Sequence, residues 1–342
     1  MLPTVFGSTP QGARYDRCIA SPQYSRGAFR NTENTPQIVN VEAWWSIMWK
    51  ILSNSTESTP RTPIPHVMTD LHNDTQRPWE IVWFGHSSYL ITNGTNRIVV
   101  DPVLSGNASP FRFIGRAFKG ANEYKEHHIP KIDVLLLTHD HYDHLCMRTV
   151  RALAPRTMRI ITSLGVGAHL ERWGIPSSKI TELDWWESVD VGTSMKFTAA
   201  PARHFSGRAF KRGDTLWSSF ILNLPDHRLY LGADSGYGPH FQEIGERIGG
   251  FDLAILEAGQ YGANWPHIHM LPEHTVQAAH DLQAAALLPV HWAKFALSYH
   301  PWDEPIQRVL RHAHTTGMRV ATPMIGEPMP LRGELPQRHW WE

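Results

Sequence analysis

From about residue 80 onward, apolar positions come in short blocks that read as strands separated by turns. EIVWFGHSSYLITNG (80–94) and NRIVVDPVLSG (96–106) predict paired strands meeting at Asn93-Gly94. KIDVLLLTHDHYDHL (131–145) is a continuous apolar run, a buried strand that passes into a loop and helix. MRIITSLGVGAHLERWG (158–174) predicts strand then helix, and SMKFTAAPARH (194–204) a further strand. LWSSFILNLPDHRLYLGADSG (216–236) reads as a hairpin turning near Pro225-Asp226. FDLAILEAG (251–259) and AALLPVHW (285–292) are two more buried strands. Between them, PEHTVQAAHDLQA (272–284) has a helical pattern with Pro272 placed for a first turn. Strands alternating with helices put the chain in the α/β class.

The first part of the chain lacks this order. Residues 1–40 are rich in Pro, Gly, Ser, Asn and Arg, and predict an extended arm wrapping the domain or a partly disordered leader. VEAWWSIMWKIL (41–52) then sets Trp44, Trp45, Met48, Trp49 and Leu52 at near-helical spacing. A helix docked on the protein's own core is one reading. A peripheral membrane contact is the other, since Trp favours the headgroup zone. Only Lys50 lends that segment positive charge. Residues 1–75 are therefore expected to be an extension with a Trp-rich helix, and residues 76–342 the functional domain.

Composition narrows the classes. The apolar and charged fractions, 42% and 19%, are those of a globular protein. Lys+Arg and Asp+Glu balance at 32 each, which argues against a nucleic-acid partner. Cys18 and Cys146 make no disulfide framework, and a cytoplasmic setting fits. The N-terminus reads as no signal peptide, and no apolar run approaches the ~20 residues of a membrane span. Histidine is enriched, at 21 residues.

Many of these histidines, such as His127, His128, His312, His314 and His339, sit in polar stretches and read as solvated, but a few stand at strand ends. His139 and His141 fall on one side of the strand ending at 138, and Asp143 and His144 follow where the chain turns. Imidazole nitrogen and carboxylate oxygen suit a borderline divalent ion such as Zn²⁺. Four such groups exceed the needs of one open catalytic site and point to two metals. Further ligands are expected at other strand ends, where His204, Asp234 and His291 stand.

H-x-H-x-D-H followed by His, Asp and His resembles the metallo-β-lactamase superfamily. The resemblance implies a four-layer αβ/βα sandwich with a dinuclear site at one edge of the sheets. It assigns His139, His141 and His204 to one metal, Asp143, His144 and His291 to the other, and Asp234 to both. WFGHSSYL (83–90), Asp101-Pro102, ASPFRFIG (108–115), LDWWE (183–187), HMLPE (269–273) and VHWAKFAL (290–297) look like the branch containing N-acyl-phosphatidylethanolamine-hydrolysing phospholipase D. That similarity spans roughly residues 80–325, and it makes residues 76–342 a metallo-β-lactamase-like hydrolase domain. His269 matches an active-site histidine of the phospholipase; the alternative is a loop histidine with no role.

The expected reaction is hydrolysis of a phosphodiester of phospholipase D type, on N-acyl-phosphatidylethanolamine or a related molecule. Asp143 would ligate a metal and orient the nucleophile, and His269 would donate a proton or hydrogen bond. His86 and Asp101 are candidates to hold the ligand histidines, or else plain turn residues. ILEAGQYGANWPHIH (255–269) departs from the phospholipase by placing Glu257 and Gln260 beside the presumed cleft. A small soluble ester, lactone or phosphate is therefore the alternative substrate. A non-hydrolytic iron protein is a third reading, against which His141 stands where di-iron relatives carry a carboxylate.

Overall fold

The computed structural model describes residues 4–39, 57–208 and 211–342; the Trp-rich stretch 41–52 lies outside them. Residues 4–39, where composition predicted no regular element, hold helix α1 (Ala13–Ala20) and a small hairpin of β1 (Tyr24–Ser25) and β2 (Ala28–Phe29). This arm lies along the body of the protein. Arg14 Nε donates to Glu182 at 2.6 Å, Trp173 Nε1 to Thr4 O at 2.8 Å, and Arg208 Nη2 to Val5 O at 3.0 Å.

The block 80–94, expected as one strand, is itself a hairpin. Gly85 (φ 81°) and His86 (φ 53°) reverse the chain between β3 (Glu80–Trp83) and β4 (Tyr89–Thr92). β5 (Arg97–Val100) follows antiparallel, after the turn at Asn93-Gly94. β6 (Ile132–Leu137), β7 (Thr157–Ser163) and β8 (Ile180–Leu183) then add in parallel. The second sheet is made of β9 (Ser188–Val191), β10 (Met195–Ala200), β11 (Ser219–Leu224), β12 (His227–Leu231), β13 (Leu253–Glu257) and β14 (Leu287–Val290). β15 (Pro328–Pro330) closes the far edge of the first sheet. The orders are β15-β3-β4-β5-β6-β7-β8 and β14-β13-β12-β11-β10-β9.

The sheets pack face to face through Trp83, Ile98, Leu136, Phe197, Phe220 and Ile255. Truncating fully buried Leu136 to Ala would cost about 2–5 kcal/mol. The outer face of the first sheet is covered by α2 (Met147–Leu153) and α3 (Gly167–Arg172), through Val150, Leu153 and Leu170. The outer face of the second is covered by α4 (His240–Ile248), α5 (Pro272–Asp281) and α6 (Glu304–Thr316), through Ile244, Val276 and Val309. This is an αβ/βα sandwich. β5 and β6 run parallel in one sheet, and β12, β13 and β14 in the other. Their C-terminal ends deliver loops to one edge, where open α/β sheets present chemistry.

Candidate metal centre

Each strand end at that edge contributes. Asp101 follows β5, and His139, His141, Asp143 and His144 follow β6. His204 follows β10, Asp234 follows β12, Glu257 ends β13, and His291 follows β14. Six of the nine described non-glycine residues with positive φ lie here: His86, Asp101, Ala233, Gln260, His291 and Ala293. Strain of this kind persists only where surrounding contacts hold it. His86 N donates to Trp292 O, and His291 N to His86 O, both at 3.0 Å, which ties the two sheets together at the site. A Cβ on Gly259 would lie 2.4 Å from His291 O, so only glycine admits that loop so close.

The side chains form two adjoining sets. His139, His141, His204 and Asp234 make one, and His86, Asp143, His144 and His291 the other, with ligand-type atoms inside each set within 4.8 Å of one another. His139 Nε2 and His204 Nε2 each stand 3.1 Å from His141 Nδ1. Asp234 lies between the sets. Its Oδ2 is 3.7 Å from both His139 Nε2 and His204 Nε2. Its Oδ1 is 3.0 Å from His144 Nε2 and 3.1 Å from His291 Nδ1.

Outer contacts set the orientation of these rings. His204 Nδ1 donates to Ile268 O at 2.8 Å, which leaves Nε2 bare towards the site. His144 Nδ1 donates to Asp101 Oδ2 at 2.8 Å, and Thr138 Oγ1 donates to the same oxygen at 2.6 Å. His86 Nε2 lies 2.9 Å from Asp143 Oδ2, and Ser87 Oγ lies 2.9 Å from His291 Nδ1. Such carboxylate–histidine contacts fix tautomer and aim.

The electrostatics favour a cation. Burial, reinforced by neighbouring imidazoles, holds His139, His204 and His291 well below the usual histidine range, and holds His141 at about 4. They present neutral lone pairs at pH 7. Burial opposes charge on His144, yet Asp234 and Asp143 outweigh it and raise its pKa well above the ordinary value. Burial lifts Asp234 to about 6. His144 Nε2 and Asp234 Oδ1 are buried and face each other at 3.0 Å, and neither has a well-directed hydrogen bond. Lone pairs converging on orphaned buried atoms fit divalent ions held by nitrogen and oxygen.

Beside the site opens a cavity of about 380 Å³, with Asp143, Asp234, His269 and His291 at its floor. Phe205, Trp265, Ile268 and Leu297 give its walls an apolar part, and Gln37 and Arg212 a polar one. Gln260 also lines it, but its amide is committed: Nε2 donates to Phe295 O at 3.0 Å and Oε1 accepts from Leu297 N at 2.9 Å. Glu257 is fully buried behind His269, at 2.6 Å from its Nδ1, and also accepts from Met270 N at 2.7 Å. It is not part of the cavity wall.

Residues 96–292 match a family described as a beta-lactamase superfamily domain. The chain belongs to the metallo-β-lactamase superfamily. It is 37% identical over 326 residues to an uncharacterised protein of Mycobacterium tuberculosis, covering 94% of this chain and 87% of the relative. The mitochondrial N-acyl-phosphatidylethanolamine-hydrolysing phospholipase D of Saccharomyces cerevisiae is 31% identical over 260 residues, covering 72% of this chain and 54% of that one. The solved metallo-hydrolase Igni18 of Ignicoccus hospitalis shares the fold, with a TM-score of 0.55 at 18% identity, over 75% of this chain and 99% of that one. The protein is thus a metal-dependent hydrolase of this superfamily, related to the phospholipase branch.

Three contributors were missed in the sequence pattern. Asn31 grips His204 from the arm, donating to its O at 2.7 Å and accepting from its N at 3.1 Å. Ser87 sits in a turn. Asp140, the unassigned acid of the histidine motif, accepts from Gly207 N at 2.7 Å and lies 3.2 Å from His169 Nε2. Its place inside the motif was the one available hint. Among the described residues no helix is long and apolar enough to cross a membrane.

Proposed function

We propose that the protein is a dinuclear phosphodiesterase of phospholipase D type, acting on N-acyl-phosphatidylethanolamine or a related lipid phosphodiester. The observation that carries the two-ion reading is Asp234, whose oxygens divide between two sets of imidazoles. One ion is assigned to His139, His141 and His204, the other to Asp143, His144 and His291, with Asp234 shared. The donor set suits Zn²⁺. Bound there, two such ions supply a nucleophile from water at neutral pH and positive charge for the phosphoryl oxygens.

The protein's own groups do the rest. Asp143, held by His86, orients the attacking water. His269 faces the cleft and delivers a proton to the leaving oxygen. Apolar walls at Phe205, Trp265 and Leu297 receive hydrocarbon next to the reacting phosphorus. Glu257 and Gln260 are committed to protein partners, so neither offers a free polar group to a small soluble substrate, although Gln37 and Arg212 also line the cleft. The cytoplasm remains the proposed setting. The test is release of phosphatidate from N-acyl-phosphatidylethanolamine by zinc-loaded protein; turnover confined to water-soluble esters or lactones would defeat the lipid assignment.

A further inference from the structure

After β5 the chain throws out a stalked loop. Ala108 N donates to Gly115 O at 2.8 Å and Ala117 N to Gly106 O at 3.0 Å, which pins the stalk. At its tip Phe111, Phe113 and Ile114 are 49%, 70% and 50% exposed, with the two phenyl rings stacked at 5.9 Å. Three large apolar side chains held out in water on a braced stalk call for a partner.

The charge around the tip indicates which partner. Residues 103–122 contain Arg112, Arg116 and Lys119 and no Asp or Glu. Behind the tip lies a cavity of about 320 Å³, separate from the metal cleft, bordered by Arg112, Arg148, Ser109 and Tyr142. Arg208 also borders it, but its guanidinium is spent on Asp140 O, Leu145 O and Val5 O. Arg112 and Arg148 carry no ion pair or side-chain hydrogen bond to any described residue. Two free guanidiniums at a cavity mouth beside protruding phenyl rings match a bilayer surface: phosphate outside, hydrocarbon beneath.

We propose that this loop docks the protein on an anionic lipid bilayer, with Phe111, Phe113 and Ile114 entering the acyl boundary and a lipid phosphate held by Arg112 and Arg148. The site is distinct from the Trp-rich stretch 41–52 and from the metal centre. Its purpose follows from its position. Ala108 and Ala117 pack in one cluster with Phe295 and Leu297, and Leu297 also forms a wall of the metal cleft. Docking at the tip therefore brings the cleft to the membrane surface. This purpose rests on the lipid phosphodiesterase reading; the docking itself does not.

The test is co-sedimentation of the full chain, metal-loaded, with vesicles of phosphatidylcholine alone or mixed with phosphatidylglycerol. Binding is expected only to the anionic vesicles and weakens as salt rises. The triple variant F111S/F113S/I114S is expected to lose at least about tenfold in binding. Arg112→Gln and Arg148→Gln are each expected to lose about fivefold. All three should keep the wild-type thermal midpoint, which separates lost docking from lost folding. Wild-type protein that ignores anionic vesicles, or a triple variant that binds like wild type, overturns the proposal. A dimer that the triple variant converts to monomer, with vesicle binding absent from both, overturns it in favour of a contact between copies. Vesicle binding without phosphatidate release refutes the phosphodiesterase reading and leaves docking intact. Phosphatidate release from detergent micelles without vesicle binding does the reverse.

Discussion

Glu257 Oε2 stands 2.6 Å from His269 Nδ1, with no surface of the glutamate exposed to solvent. Burial lifts Glu257 well above the usual carboxylate range and lowers His269. The contact occupies Nδ1 and leaves Nε2 for the cleft. Glu257 positions His269 and does not touch substrate. Glu257→Ala is expected to lower kcat about 100-fold with little change in KM, while Glu257→Gln, which can still hydrogen-bond Nδ1, keeps part of the rate. The deficit should grow as the leaving group becomes more basic. Equal losses for good and poor leaving groups would separate His269 from proton delivery.

Asp101 collects Thr138 N at 2.9 Å, Thr138 Oγ1 at 2.6 Å and His144 Nδ1 at 2.8 Å. Removing the carboxylate frees the His144 ring to rotate and leaves these donors unpaired. Asp101→Ala is expected to weaken binding of one of the two ions about 10–100-fold, measured by competition with a chromophoric chelator. Unchanged affinity for both would show that His144 needs no such support.

Asn31 joins the N-terminal arm to the backbone of His204 and also accepts from Trp217 Nε1 at 2.9 Å. Asn31→Ala is expected to reduce unfolding free energy by about 1–3 kcal/mol in urea titrations, since the groups left behind are buried. A wild-type midpoint would mean the arm is an ornament to the site.

Lys294 is fully buried, and among the described residues its Nζ donates only to Phe84 O, at 2.9 Å. Burial lowers its pKa to about 7 against 10.5 for the free side chain. Between these values the unfolded chain binds the extra proton, so this group's penalty is full below pH 7 and vanishes as pH rises past 10.5. Lys294→Met should therefore stabilise the protein most at pH 7 and below. The advantage should shrink towards pH 10 by up to about 1.4 kcal/mol per pH unit. A difference independent of pH would contradict this.

Much of the fold was legible because its central strands are apolar runs ending in polar residues. β6, β13 and β14 are buried on both faces and announce themselves. β9 is a short edge strand of alternating exposure, SVDV, and gave no comparable signal. The reversal at Gly85-His86 was hidden because apolar residues continue through both arms of the hairpin. At the site, His139, His141, Asp143, His144, His204, Asp234 and His291 share one feature visible in the chain: a polar group ending an apolar strand. Asn31 is brought to His204 by tertiary packing across 173 positions, which no local pattern encodes. Glu257 was legible as a residue but not in its direction, since whether a strand-end carboxylate faces the cleft or lies behind a histidine depends on the loop at 265–269.

The division of Asp234 between two imidazole sets is the centre of the proposal, and metal stoichiometry tests it most directly. Protein stripped with chelator, reloaded with Zn²⁺ and dialysed should retain two ions per chain by elemental analysis, and Asp234→Asn should retain fewer. A single ion in the wild type, or two held equally well without the Asp234 carboxylate, would contradict a shared dinuclear centre.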